Sequence, residues 1–221
     1  MHTTNDRWIQ KLWDWADQNN ISDLEWVKHD SYLKSGYFKG LPRDKDKLLN
    51  LTKLNLLGSQ LTTLPEEITH LIHLKQLYLL GNQLTELSSE IANLIYLEEL
   101  YLAGNQLKTL PKEIGELKNL KLLLIQENQI TSLPKEIGQL VNLSTLELGG
   151  NQLTSLPKEI GKLENLRKLT LWKNKLTVLP KEIHTLSKLA ELDFLYNKLE
   201  LTQEDVHWLN SLIDNHCDVC I

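Results

Sequence analysis

Between residues 41 and 201 the apolar residues return every 23 positions. One stretch of each period alternates, as in Leu77-Tyr78-Leu79, and closes on a polar residue. That residue is Asn82, Asn105, Asn128, Asn151, Asn174 and Asn197 in successive copies, with Ser59 in the earliest. Alternation puts Leu77 and Leu79 on one side of a strand and Gln76, Tyr78 and Leu80 on the other. Elsewhere in the period the spacing changes. Ile68, Leu71 and Leu74 are three apart, which suits one face of a tight helical turn. Pro65 and Glu67 fit the start of that turn, where a proline loses only a donor that would be unpaired anyway and an acid favours the positive end. Each period therefore predicts one short strand and one short helical turn, seven strands in all. A single unit has one apolar side and nothing to bury it against, so only a stack of units can form a core. The fold class expected is an α/β solenoid with a parallel sheet on one face and helical turns on the other.

The full unit reads L-x-x-L-P-x-E-I-x-x-L-x-x-L-x-x-L-x-L-x-x-N-x. It resembles the leucine-rich repeat family at the short end of that family's repeat lengths. The L-P-x-E-I half is similar to intracellular repeats of bacteria, plants and Ras-pathway scaffolds. The resemblance implies a horseshoe with a concave sheet, convex 3-10 or helical turns and capped ends, serving as a protein-recognition scaffold. Ser88 departs from the pattern, standing where Pro65, Pro111, Pro134, Pro157 and Pro180 stand in the other units. One convex turn is thus expected to start less rigidly. The recurrent Asn lies where the strand must bend, and its amide is expected to satisfy backbone groups of its own and the next repeat as a ladder. Asn142 lies in an Asn-x-Ser sequon but matches Asn119 and Asn165 in the repeat, so its explanation is structural.

The ends break the period. Residues 1–40 carry Trp8, Trp13, Trp15, Trp26, Tyr32, Tyr37 and Phe38, half of the aromatic residues in the chain. Asn5 is placed to cap a helix running to about Gln18, with Trp8, Ile9, Leu12, Trp15 and Ala16 as its apolar stripe. A second short helix is expected from Ser22, with Leu24, Trp26 and Val27 packing. Together these make a helical, Trp-rich N-terminal cap; a docking element or a membrane-surface helix is the alternative, though the polar face has no cationic excess. Residues 41–51 read as a degenerate half-repeat in which Lys45 replaces the Ile of later units. At the other end, Thr202-Gln203-Glu204-Asp205 resembles a helix-capping signature, opening a cap helix with Val206, Leu209, Leu212 and Ile213. The domains read as 1–40 N-terminal cap, 41–201 repeats and 202–221 C-terminal cap helix and tail. Cys217 and Cys220 lie in that tail. They are small cap residues or part of a frayed end, or with His207 and His216 a zinc site, or a redox pair.

Composition narrows the function. The formal net charge is −5 and no basic run occurs, which argues against a nucleic-acid partner. No apolar run is long enough to span a membrane. Residues 1–7 are polar with no apolar region after them, so no signal peptide is visible. Two cysteines and no cysteine-rich caps favour a reducing compartment. The chain is expected to be bacterial and cytoplasmic, or exported by a route without a visible signal peptide. There is no G-x-S-x-G, no phosphate-cradling glycine loop and no H-E-x-x-H. His70 and His73 lie three apart, a metal pair for which the pattern supplies no third ligand. No enzyme activity, cofactor or metal is expected.

Partner information must sit at the outward strand positions, because the repeat leaves them unconstrained. One column is Asn55, Tyr78, Tyr101, Leu124, Glu147, Thr170 and Asp193. The next toward the turn is Leu57, Leu80, Ala103, Gln126, Gly149, Trp172 and Leu195, and the preceding one runs from Lys53 through Leu122 to Glu191. Tyr78, Leu80, Tyr101, Leu122 and Leu124 are expected to form one exposed apolar patch. Trp172, Leu195 and Tyr196 form a second, with Gln126, Glu127 and Glu147 between them and Asp193 at the far edge. Aromatic side chains in a polar rim are what interface hot spots look like. All these side chains, Asn55 and Tyr78 included, are expected to stand outside the core. The reading is a non-enzymatic module binding a protein through its concave face. The alternatives are the targeting part of a bacterial effector or signalling protein with a separate catalytic domain, or structural self-assembly. The sequence does not fix an oligomeric state.

Overall fold

The computed structural model describes residues 6–28 and 36–221. The Asn5 cap and Tyr32 fall outside them. Seven strands of three residues come from the repeats: β3 (Lys53–Asn55), β4 (Gln76–Tyr78), β5 (Glu99–Tyr101), β6 (Leu122–Leu124), β7 (Thr145–Glu147), β8 (Lys168–Thr170) and β9 (Glu191–Asp193). All pair in parallel with a register offset of one repeat, so Leu54, Leu77, Leu100, Leu123, Leu146, Leu169 and Leu192 form one fully buried row. The convex side is built from 3-10 turns: Glu66–His70, Ser89–Asn93, Lys112–Glu116, Lys135–Gln139, Lys158–Lys162 and Lys181–Thr185. Ser88 does not leave its turn loose. Its hydroxyl accepts from the Glu90 amide at 3.2 Å, a side-chain cap that proline cannot offer.

The Asn ladder satisfies its own repeat and the preceding one, not the next. Asn128 Nδ2 donates to Leu102 O at 3.0 Å and Ile125 O at 3.1 Å, and its Oδ1 accepts from Leu107 N at 2.9 Å. Asn82, Asn105, Asn151 and Asn174 repeat the arrangement. This direction accounts for Ser59, because its unit is preceded by no full repeat whose carbonyls an Asn could reach. On the convex side Asn119, Asn142 and Asn165 form a second ladder, donating to Ile95 O, Lys118 O and Val141 O.

The N-terminal cap combines helix and hairpin. Helix α1 (Arg7–Gln18) buries Ile9, Leu12 and Ala16 and packs on the first convex turn. Trp8 stacks on His70 at 4.9 Å, Lys11 pairs with Glu67 at 3.1 Å, and Trp13 Nε1 donates to Pro42 O at 2.9 Å. The helix expected from Ser22 is instead strand β1 (Glu25–Val27), antiparallel to β2 (Tyr37–Lys39). The Trp26 and Phe38 rings meet edge-to-face across that pair at 5.0 Å, and such a cross-strand aromatic contact outweighs a weak helical pattern in a short segment. Residues 41–51 contain a short helix, α2 (Lys45–Leu49), capped by Asp44. Lys45, where later units have Ile, reaches out to Asp6 at 2.8 Å.

The C-terminal cap is helix α3 (Gln203–Asp214), opened by a reciprocal Thr202–Asp205 capping box. Asp205 is buried and meets His184 Nε2 at 2.8 Å, and His184 lies 5.4 Å from the Trp208 ring, tying helix to last turn. Burial alone would raise the Asp205 carboxyl, but the Thr202 hydroxyl and amide and His184 outweigh it and hold it below the usual range. The tail is not frayed. Strand β10 (Asp218–Cys220) adds to β9 in parallel as the eighth strand of the sheet. Cys217 is buried and Cys220 aligns with Asp193. Extended chain separates residues three apart by about 10 Å, beyond the reach of a disulfide. Both thiols are pushed up, by burial first and then by nearby carboxylates. Among the described residues no group of His, Cys, Asp and Glu is placed to hold a metal, and no helix is long and apolar enough to cross a membrane.

Candidate functional site: the concave sheet

Eight strands at about 4.8 Å spacing give a concave surface roughly 34 Å across. Strand register sets the three outward columns side by side as expected, but side-chain packing changes what they present. Tyr78 faces outward yet is only 6% exposed. Its ring stacks on Tyr101 at 4.1 Å with 10° between planes, and the Lys53 ammonium lies 4.7 Å from its other face. The expectation that Tyr78 stands open to solvent fails because its neighbours in the outward columns close over both faces. Tyr101 is half-buried and donates to Glu99 Oε2 at 2.7 Å. Burial first, and then the Glu99 carboxylate, push its phenol well up, so it remains a donor. Leu122 and Leu124 are likewise half-buried on the adjacent strand.

Asn55 is a second correction. It is 1% exposed because the N-terminal hairpin closes over it: Gly40 N donates to Asn55 O at 3.1 Å. Its side chain accepts from Leu57 N at 3.0 Å. At the other end of the same column Asp193 does the same for Leu195 N at 2.9 Å.

The expected two patches meet. The Trp172 indole lies directly over Gly149, so close that any Cβ there would collide with it, and it reaches Gly150. Trp172 and Leu80 thereby line one hollow of about 300 Å³, with Ala103, Gln126, Glu127 and Glu147 between them. Beyond Trp172, Leu195 is half-buried and Tyr196 is 79% exposed on the rim. Tyr196 shares a left-handed turn position (φ 60°) with Glu127 and Lys173, where Gly58, Gly81, Gly104 and Gly150 stand in the other repeats.

Charges on the face are mostly paired. Lys168 bridges Glu147 at 3.1 Å and Glu191 at 2.9 Å; burial works against its charge, but the two carboxylates prevail and raise it. Glu98 sits between Lys121 at 2.6 Å and Lys75 at 3.4 Å; hydrogen bonding from Lys121 is the main cause holding it low. Four buried side-chain polar atoms among the described residues lack a hydrogen-bond partner. Three of them, Asn55 Nδ2, Gln126 Oε1 and Thr170 Oγ1, belong to the outward columns, and the fourth is Trp208 Nε1.

Two exposed apolar areas escaped the sequence reading. Ile72, Ile95 and Tyr96 follow the first two complete convex turns and stand about half-exposed. At the same positions the other repeats hold Lys118, Val141, Glu164 and Ser187, and His73, Asn119, Asn142, Asn165 and Lys188, so the large apolar residues of the early units were the available signal. Trp26 is 58% and Phe38 57% exposed on the hairpin beside a groove of about 500 Å³. Nothing in the helical reading of that segment would have exposed both.

Comparison with known proteins agrees with this architecture. A family model described as a leucine-rich repeat region matches residues 112–214, and one described as a leucine-rich repeat matches residues 96–117. No curated protein matches by sequence. Among solved structures, a leucine-rich repeat protein of Leptospira interrogans is 37% identical, over 83% of this chain and 52% of its own, with a TM-score of 0.63. The leucine-rich repeat ectodomain of the Arabidopsis thaliana membrane receptor kinase GASSHO1/SCHENGEN3, solved in complex with Casparian strip integrity factor 2, is 32% identical. It covers 71% of this chain and 20% of its own, with a TM-score of 0.65. An internalin of Listeria monocytogenes is 25% identical, over 81% of this chain and 51% of its own, with a TM-score of 0.67. The chain thus spans about half or less of the length of the structures it resembles.

Proposed function

The chain belongs to the leucine-rich repeat family, and from that premise we propose that it is a non-enzymatic module that holds a protein partner on its concave face. Such folds are typical of protein–protein interaction modules and are generally non-catalytic. One observation carries the choice of face. The interior and convex Asn ladders leave their polar groups satisfied, whereas two of the four unpartnered buried polar atoms belong to the open part of the outward columns: Oε1 of Gln126, which lines the hollow with Trp172, and Thr170 Oγ1 on the strand leading to Trp172. Buried polar groups without partners are costly within a finished structure and expected where a ligand completes it. The anchors are Tyr101, Leu122, Leu124 and Trp172, with Leu80, Glu147, Asp193, Leu195 and Tyr196 around them and Tyr78 supporting from beneath. A cytoplasmic, bacterial scaffold fits the paucity of cysteine. The plant receptor ectodomain, solved in complex with Casparian strip integrity factor 2, is a precedent for recognition by this fold.

Hydroxyl-radical footprinting of the chain with a captured partner tests the proposal. Protection is expected at Tyr101, Trp172 and Tyr196. Protection confined to Ile72, Ile95 and Tyr96 would move the interface to the convex edge and overturn it.

A further inference from the structure

We propose that the hollow beside Trp172 seats the guanidinium group of an arginine side chain carried by the partner. The inference rests on the concave-face reading above and narrows it to one chemistry. The hollow is about 300 Å³. Gly81 and Gly104 form its floor at the turns, where the absence of side chains lets a ligand approach the backbone. Its far wall is the Trp172 indole, laid flat across Gly149.

The lining is one-sided in charge. Among the described residues, no Lys or Arg side chain lines the hollow. Glu147 shares the single ammonium of Lys168 with Glu191, so that trio keeps one net negative charge. Glu99 and Asp193 are occupied by Tyr101 and by the Leu195 amide. Glu127 differs from all of these: it is exposed, and among the described residues its carboxylate has neither an ion pair nor a hydrogen bond. Gln126 also lines the hollow, and its Oε1 is a buried acceptor without a partner among the described residues.

Acceptors along one edge and an aromatic face along another suit a planar cation. A guanidinium can lie on the indole and present paired N–H groups to Glu127. A lysine ammonium would gain the charge but neither the stacking plane nor the bidentate fit. An acidic side chain would be repelled, and an apolar one would leave Glu127 and Gln126 unanswered. Glu127 also occupies a left-handed turn position, φ 55°, where four of the seven repeats use glycine. A glutamate is thus held there against local preference, and it lines the hollow.

The test is an NMR titration of the intact protein, following the Trp172 indole N–H resonance, assigned with Trp172→Phe. The probes are N-acetyl-arginine methylamide and its neutral isostere N-acetyl-citrulline methylamide. The arginine probe should give a saturable shift in the millimolar range, with citrulline binding at least about fivefold more weakly, as expected if the charge supplies most of a single contact. Glu127→Gln should weaken the arginine probe to a similar extent, while Lys135→Ala should leave it unchanged. Equal shifts with both probes, no saturable shift with arginine, or full binding in Glu127→Gln would each overturn the proposal. A partner footprint on Tyr101 and Trp172 without arginine binding would remove this inference alone. A footprint on the convex edge would remove the concave reading itself.

Discussion

The inner Asn ladder, in six of the seven repeats, and the outward strand columns, in all seven, run side by side and obey opposite rules. In the ladder one residue type recurs, each copy making the same three hydrogen bonds to its own and the preceding repeat. In the columns no residue type is obligatory: Tyr78, Tyr101, Leu124, Glu147, Thr170 and Asp193 succeed one another at one register position. Where the period demands a residue, that residue holds the stack together. Where it demands nothing, the side chains are available for recognition, although neighbours can still fold them away. Tyr78 and Asn55 sit in the free columns and yet are buried, so the boundary between the two roles does not follow strand alternation alone.

The largest effect should come from the ladder. Asn128→Ala removes every side-chain hydrogen bond of that ladder step and strands the Leu107 amide in the interior, while the Leu102 and Ile125 carbonyls keep only the Asn105 and Asn151 side chains as donors. A loss of about 3 kcal/mol is expected, read as a lower urea midpoint. An unchanged midpoint would erase the distinction between the two regions.

Tyr78→Ala should come next and sharpens the comparison, because it lies on the free side and behaves as structure. Removing the ring sandwiched between Lys53 and Tyr101 should cost about 2 kcal/mol. A midpoint equal to wild type would restore Tyr78 to the set of open anchors.

The C-terminal cap offers a pH-dependent check. Asp205 is held below its ordinary value of 3.8 in the fold. Its contribution is therefore present above that value and lost as pH falls through the lower, folded one. Asp205→Asn should lower stability at neutral pH by about 1–2 kcal/mol. The gap to wild type should narrow below pH 3.8, measured by thermal unfolding across pH. A gap that stays constant with pH would mean the carboxylate charge is not what ties α3 to His184.

Gly149→Ala should have the smallest effect on folding, about 1 kcal/mol, as a methyl group displaces a partly exposed ring. Its effect on the free face should be larger in proportion. The Trp172 indole must leave its place over Gly149, and the indole N–H resonance should shift. A resonance that does not move would mean the ring does not lie there in solution.

The repeats were legible because their positions recur six or seven times: the Leu54–Leu192 row, the inner Asn ladder and the convex turns all follow from spacing. The caps are stated once, and there the reading failed where tertiary pairing decides. Glu25–Val27 became a strand because Tyr37–Lys39 pairs with it. Asp218–Cys220 became a strand because β9 left an open edge for it. On the concave face the columns were legible but their exposure was not. No periodicity encodes that Trp172 would lie across Gly149 and join two patches, or that the N-terminal hairpin would cover Asn55.

The claim that the free columns carry recognition is tested most directly by one affinity comparison on a single captured partner. Tyr101→Ala and Trp172→Ala should each weaken binding by about thirtyfold, as loss of a roughly 2 kcal/mol anchor does. Lys135→Ala, on the convex side, should change it by less than about 0.5 kcal/mol. If Lys135→Ala abolishes binding while both concave variants retain it, the functional face lies on the opposite side of the solenoid.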